Sequence, residues 1–269
     1  MAFSANIPLT QDPHPQHHED PPYFQFPRLS ELKGVVHGVF TRQGGVSAPP
    51  FESLNTSLGV GDDPQAVAVN RARIQRCLKA PAMIFPRQEH GCRVVAISAS
   101  AAEGSPPQAA PRADALITRC PGRFLAIQVA DCQAVLIADP VAGVIANIHA
   151  GWRGTTANIV GRAIRTMEKT YGCQPRNLRA GISPSLGPCC AEFINYKNEI
   201  PQALWRYKDS RHHFDFWAIT RDQMAAEGVR PENINASELC TRCHSELFFS
   251  YRAAQVTGRF SAVIGLRPN

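Results

Sequence analysis

At 269 residues, with 44% hydrophobic and 19% charged side chains, the chain can hide roughly 70–75% of its unfolded surface in one large core or two small ones, without disulfides or a structural metal. Its 22 prolines and 19 glycines mark many turns but not low complexity, no apolar run reaches the ~18–20 residues of a membrane span, and the first ten residues carry neither region of a signal peptide. Disordered, collagen-like and membrane classes are excluded, and the net charge of +6, scattered apart from Arg71, Arg73 and Arg76 on one predicted helix, reads as mild attraction for small anions and not as a nucleic-acid surface.

Taken in chain order, residues 1–22 are proline- and histidine-rich and predict a solvated tail, with His14, His17 and His18 able to collect stray metal. Folded sequence is expected from Tyr23. Residues 34–40 predict a strand, and Asp62 or Asp63 with Pro64 predicts a helix start, followed by apolar residues at helical spacing through Leu78. Short strands are expected at 82–85 and 93–97, and a loop of prolines and small residues at 100–112. The centre is strand-dense, with runs at 124–129, 134–138 and 143–148 so apolar that both sheet faces must be covered. A helix from about Thr155 to Tyr171 stops at Gly172, two more are expected near 197–206 and 216–227, and residues 260–266 form a last strand. With no repeat or linker after residue 23, this predicts one mixed α/β domain of layered sheets and helices over 23–269.

The most informative stretch is Asn147-Ile-His-Ala-Gly-Trp-Arg-Gly-Thr-Thr156, where an apolar strand meets a glycine-flanked turn and a helix. Free backbone N–H groups at the helix start, with Arg153 beside them, suit a phosphate or carboxylate, and Gly151 and Gly154 permit close backbone approach. Alternatively the turn is structural and Arg153 pairs with a local carboxylate. Cys132 and His90 also stand where strands end. Taken alone, His90, Cys132 and His149, 42 and then 17 residues apart, read first as a buried thiol with two hydrogen-bonded imidazoles. The other reading is a zinc or copper site with an open fourth position.

Other cysteine patterns carry less. Nine cysteines, an odd number, without an export signal fit a reducing cytoplasm. Cys240-Thr-Arg-Cys-His244 matches the haem-attachment pattern, but covalent haem is added outside the cytoplasm, and Glu238-Leu-Cys240 looks like a strand end, not the helix start a thioredoxin-like pair requires. Cys189-Cys190 reads as two vicinal thiols, one of them near the site.

In order along the chain stand His37-Gly-Val-Phe-Thr-Arg-Gln-Gly-Gly-Val-Ser47, Ser53-Leu-Asn55, Gly61-Asp-Asp-Pro64, Asn70-Arg71, Gln88-Glu-His-Gly91, Ala113-Asp-Ala115, Ala130-Asp-Cys132, His149-Ala-Gly-Trp-Arg-Gly154 and Phe249-Ser-Tyr-Arg252. Together they closely resemble the YfiH-type family, also called laccase-domain or multicopper polyphenol oxidoreductase proteins, over about residues 34–265. The resemblance implies a single α/β domain related to toxin-type cysteine hydrolases, and a metal, usually zinc, on His90, Cys132 and His149. It implies phosphorolysis of adenosine, inosine and methylthioadenosine with inorganic phosphate as co-substrate, together with adenosine deamination. Some bacterial members are instead peptidoglycan-editing factors acting on a muramyl precursor. Glu89, Val129 and Ala191 depart from the common pattern, none of them at a ligand position.

Under this reading Asp131 carries a proton to the leaving group or, alternatively, fixes a ligand histidine. Arg153 orients phosphate, Arg42 and Asn55 touch substrate, Arg71 supports the pocket, and Asp114 is an acceptor behind the ligands. Three competing readings remain. One is an amidase at the same site, through metal-bound water or through Cys132 as nucleophile with His149 as base. A second is a true laccase, which conflicts with the absence of any His-x-His element to feed a trinuclear copper cluster. The third is a non-catalytic binding protein. Small-molecule partners, a purine nucleoside and phosphate, are expected, with no membrane, nucleic-acid or obligate protein partner.

Overall fold

A computed structural model describes residues 20–98 and 110–268. Residues 1–19 of the expected tail, with its three histidines, and most of the expected 100–112 loop lie outside the described residues. Pro21, however, is buried and the Pro22 carbonyl accepts from the Thr41 amide at 3.0 Å, so packing begins before Tyr23. Strands are β1 Tyr23–Phe24, β2 Val35–Phe40, β3 Ala82–Ile84, β4 Val94–Ile97, β5 Ala115–Thr118, β6 Arg123–Val129, β7 Gln133–Asp139, β8 Val144–Ala150, β9 Arg179–Ile182, β10 Ile234–Ala236 and β11 Phe260–Leu266. They form two mixed sheets, ordered β1-β2-β11-β6-β3 and β10-β9-β7-β8-β5-β4.

Side-chain alternation explains the layering. In β6, Leu125, Ile127 and Val129 face one core while Phe124 and Ala126 face another. In β7, Leu136 and Ala138 join Leu125 and Ile127 between the sheets, whereas Val135 and Ile137 face the opposite side. Helix α2 (Pro64–Cys77; α1 is the short Pro27–Ser30) covers the outer face of the first sheet through Ile74. Helices α4 (Ile159–Tyr171) and α6 (Phe216–Ala226) cover the second through Ile159, Ile164 and Met224. Helix, sheet, sheet and helix therefore stack in four layers, and both faces of each central strand are buried, as the unbroken apolar runs require. Asn147 stitches the sheets together, its Nδ2 donating to the carbonyls of Leu125 and Ala262 at 2.8 and 2.9 Å.

The caps behave as their chemistry dictates. Asp63 accepts from the Gln65 amide at the start of α2, and Asp215 from Ala218 at the start of α6. Two helix expectations require correction. The stretch after His149 holds two helices, α3 (Trp152–Thr156) and α4, because Asn158 turns left-handed (φ 53°) and its side chain caps α4 through the Gly161 amide. Residues 197–206 split at Pro201 into α5 (Tyr196–Glu199) and a 3₁₀ segment (Gln202–Tyr207), since proline has no N–H to continue the helix. Among the described residues, no helix is long and apolar enough to cross a membrane.

Candidate active site

The β7–β8 hairpin builds half of the site. Its antiparallel register sets Gln133 opposite Ala150 and Ala134 opposite His149, so Cys132, one step before β7, meets Gly151, one step after β8. A Cβ on Gly151 would lie 3.1 Å from Cys132 Sγ and 3.6 Å from His149 Cε1. His90 arrives from the turn between β3 and β4, its ring edge-on to that of His149 with centroids 4.7 Å apart. The donor atoms of His90, Cys132 and His149 all lie within 4.8 Å of one another.

Asp114, just before β5, holds both histidines. Its Oδ1 accepts from the amides of Glu89 and His90 at 3.1 and 2.9 Å, and its Oδ2 from that of Gly91 at 2.8 Å. Three successive amides thus cradle one carboxylate and fix His90 in a left-handed conformation (φ 56°) that a non-glycine residue rarely adopts. The same Oδ1 lies 2.8 Å from His149 Nδ1. With Nδ1 bound there, Nε2 is the nitrogen left as a donor.

Charge in the trio is polarised. Burial pushes the Cys132 thiol up, but attraction to and hydrogen bonding with His149 and His90 outweigh it and hold the thiol at about 6. Burial pulls His149 down, and the Cys132 thiolate and Asp114 carboxylate overcome this and raise it to about 9. Burial opposes ionisation of Asp114 too, yet bonds from His149 and the backbone amides keep its carboxyl below the usual range. Cys132 and His149 thus pair as thiolate and imidazolium; once His149 gives up its proton, the trio offers a thiolate and two imidazoles, borderline-soft donors suited to zinc.

The trio lies in a cleft of about 1060 Å³. Arg71, Arg87, Arg153, Arg252 and Arg259 line it, against the acids Asp131, Glu192 and Glu199, and Trp152, Phe193, Phe216 and Tyr251 supply aromatic faces. Asp131, also left-handed (φ 83°), accepts from Thr241 Oγ1 and from the Arg252 amide, each at 2.6 Å. Its carboxylate bonds neither ligand histidine; Asp114 performs that task. Arg71 donates from Nε to the Thr56 carbonyl at 2.8 Å and stacks 4.0 Å over Phe85 in the cleft wall. Arg153 lies over Trp152 at 4.3 Å.

Two expected substrate contacts are not in the cleft. Arg42 donates to the carbonyls of Glu52 and Ser245 at 2.9 and 2.8 Å, tying distant loops together. Asn55, fully buried, donates to the Asp62 carboxylate and the Ser57 carbonyl and accepts from the Arg259 amide, so its polar capacity is spent on the loops beside the cleft. Gly154 also differs from expectation: a Cβ there would stand 2.9 Å from the Gly91 carbonyl, so this glycine lets α3 seat against the turn carrying His90. Cys189 and Cys190 stand beside Cys240 and Cys243, apart from the trio. Arg252, Arg259 and Phe193 are cleft residues that residue-by-residue reading did not single out; only the Phe249–Arg252 motif hinted at the first.

Residues 36–267 match the family described as multi-copper polyphenol oxidoreductase laccase. The chain belongs to that family. Among laccase-domain relatives, the purine nucleoside phosphorylase YlmD of Geobacillus stearothermophilus is 34% identical over 250 residues, covering 87% of this chain and 91% of that protein. The purine nucleoside phosphorylase YfiH of Escherichia coli is 32% identical, with 89% and 97% covered. The crystal structure of YlmD from Geobacillus stearothermophilus superposes with a TM-score of 0.82 at 32% identity, over 94% of this chain and 98% of that one. That of a hypothetical protein YfiH from Bacillus licheniformis gives 0.82 at 30% identity, over 94% and 100%. These likenesses agree with the mixed α/β fold expected from the sequence.

Proposed function

We propose that this chain is a zinc-dependent purine nucleoside phosphorylase that also deaminates adenosine, working at the His90–Cys132–His149 trio. The observation that carries the reading is the convergence of one cysteine and two histidine donors in a cleft walled by five arginines and five aromatic side chains. The names of the relatives point to the same substrate class. Bound zinc would supply Lewis acidity and positive charge beside the reacting group.

The protein's own residues account for the rest. Arginines outnumber acids five to three in the cleft, which favours a phosphate over a neutral nucleophile and orients it by forked hydrogen bonds. Arg153, its guanidinium held over Trp152, is placed to grip that anion. Trp152 and Phe193, packed edge-to-face with centroids 6.1 Å apart, form an apolar wall against which a purine rests, out of water. Asp131, held by Thr241 and the Arg252 amide, is assigned to carry a proton to the purine nitrogen as the bond to ribose C1′ breaks. Nine free thiols fit a reducing cytoplasm as the place where this occurs.

A three-donor site does not provide the histidine-rich trinuclear cluster that laccase chemistry needs. The test uses tag-free protein incubated with inosine or adenosine, with and without inorganic phosphate, and chromatography of the products. Phosphate-dependent release of free base, lost in Cys132→Ala, is the expected result. Tightly bound metal without nucleoside turnover would overturn the reading and favour amide hydrolysis of a cell-wall precursor.

A further inference from the structure

Four cysteines stand apart from the trio on two loops that sequence places 50 residues apart. Cys189 and Cys190 follow the turn after Gly187, and Cys240 and Cys243 form a C-x-x-C element. Their four sulfurs all lie within 4.8 Å of one another. Cys243 Sγ is 3.6 Å from both Cys189 Sγ and Cys190 Sγ. That is far beyond the ~2.05 Å of a disulfide, and it matches the roughly 3.8 Å edge of a tetrahedron whose centre is ~2.3 Å from each sulfur.

We propose that Cys189, Cys190, Cys240 and Cys243 form a second, structural metal site that holds one tetrahedral zinc ion through four thiolates. The backbone is already arranged for it. The Cys190 amide closes a turn on the Gly187 carbonyl at 2.9 Å, and the His244 amide closes one on the Cys240 carbonyl at 3.0 Å, so each pair of cysteines is held on a hydrogen-bonded turn. The loops are tied by the Ser185–Cys240 bridge, with the Ser185 amide on the Leu239 carbonyl at 3.1 Å and the Thr241 amide on the Ser185 carbonyl at 3.0 Å. A Cβ at Gly187 would stand 3.1 Å from Cys240 Cβ, so only glycine allows the loops to close this tightly.

Four protein donors leave no open position, so the site is structural and not catalytic. Its consequence is felt at Asp131. Thr241, inside the C-x-x-C element, donates to Asp131 Oδ1, and the Leu186 amide, just before the other loop, donates to the Asp131 carbonyl at 2.8 Å. Cross-linking the loops fixes both groups that set Asp131 beside Cys132. A chain of this size does not need zinc to fold, which makes the positioning of this wall the more specific role.

The test is metal analysis of the full-length, tag-free protein by mass spectrometry. About two zinc ions per chain are expected in the wild type and about one each in His90→Ala/Cys132→Ala and in Cys189→Ser/Cys243→Ser, one ion for each closed or open site. Cobalt(II) loaded into the wild type gives a second reading that does not depend on the variants folding. Intense visible bands of a tetrahedral four-thiolate centre are expected, and they should persist in His90→Ala/Cys132→Ala. One zinc per chain that disappears with His90 and Cys132, no four-thiolate cobalt spectrum, or a disulfide joining Cys243 to Cys189 or Cys190 would each overturn the proposal.

Discussion

Asp114 and His149 meet through a 2.8 Å contact between Oδ1 and Nδ1, both side chains almost wholly buried. The bond fixes which imidazole nitrogen is free, and the same carboxylate anchors the turn that carries His90. One residue thus sets two of three ligands. Asp114→Asn cannot satisfy all of these donors: its amide nitrogen must face either the Gly91 N–H or the His149 N–H. Zinc affinity is expected to fall about 10–100-fold, as measured by competition with a chromophoric chelator. Unchanged affinity would show that the carboxylate does not hold the ligands in place.

Gly151 separates packing at the metal centre from backbone tolerance. Its backbone is ordinary (φ −74°, ψ 169°), so an alanine fits the local conformation without strain. The added methyl, however, would sit 3.1 Å from Cys132 Sγ, displacing the ligand by a few tenths of an ångström. Gly151→Ala is therefore expected to keep a near-normal melting temperature while losing on the order of tenfold in zinc affinity and in turnover. A variant that unfolds, or one that binds zinc as the wild type does, contradicts this division.

Much of the frame is legible in the sequence because it depends on local signals. The apolar runs that become β6, β7 and β8 alternate between two cores, and Asp63-Pro64 and Asp215 start helices as caps do. Asn158 is where local reading fails: the apolar stripe runs on past it, and only the left-handed φ breaks the helix. The ligand trio is legible through the ordered family motifs and not through spacing, because the hairpin register and the Asp114 cradle, both tertiary, bring it together. Arg42 and Asn55 mislead for the same reason. An arginine on a loop looks ligand-binding until its partner carbonyl, on Ser245, is found at the far end of the chain.

Chelator-stripped protein offers a direct view of the Cys132–His149 pair. The two imidazoles hold Cys132 at about 6 against burial, whereas burial pushes Cys77 and Cys173 up to about 12 and Cys190 to about 11. Since only the thiolate reacts, iodoacetamide at pH 7 should label Cys132 ahead of these three, with a rate midpoint near pH 6, and zinc should protect it. Peptide mapping by mass spectrometry reads the order. A midpoint near the ordinary thiol value, or labelling indifferent to zinc, would mean that the trio is not preorganised.

His37 predicts how stability responds to acid, independently of the active site. It lies fully buried in β2, its Nε2 accepting from the Phe26 amide at 2.7 Å and its ring stacked on Phe26. Burial lowers it from 6.5 to about 4. The folded chain therefore keeps His37 neutral where the unfolded chain already binds a proton. The contribution is fully present above pH 6.5 and is lost as pH falls towards 4, amounting to about 3 kcal/mol at the bottom of that window. His37→Gln preserves an acceptor for Phe26 and does not titrate. Urea unfolding at pH 7 and at pH 4 should show the wild type losing about 3 kcal/mol more than this variant. Parallel losses in the two proteins would mean that His37 is not the group whose protonation weakens the first sheet.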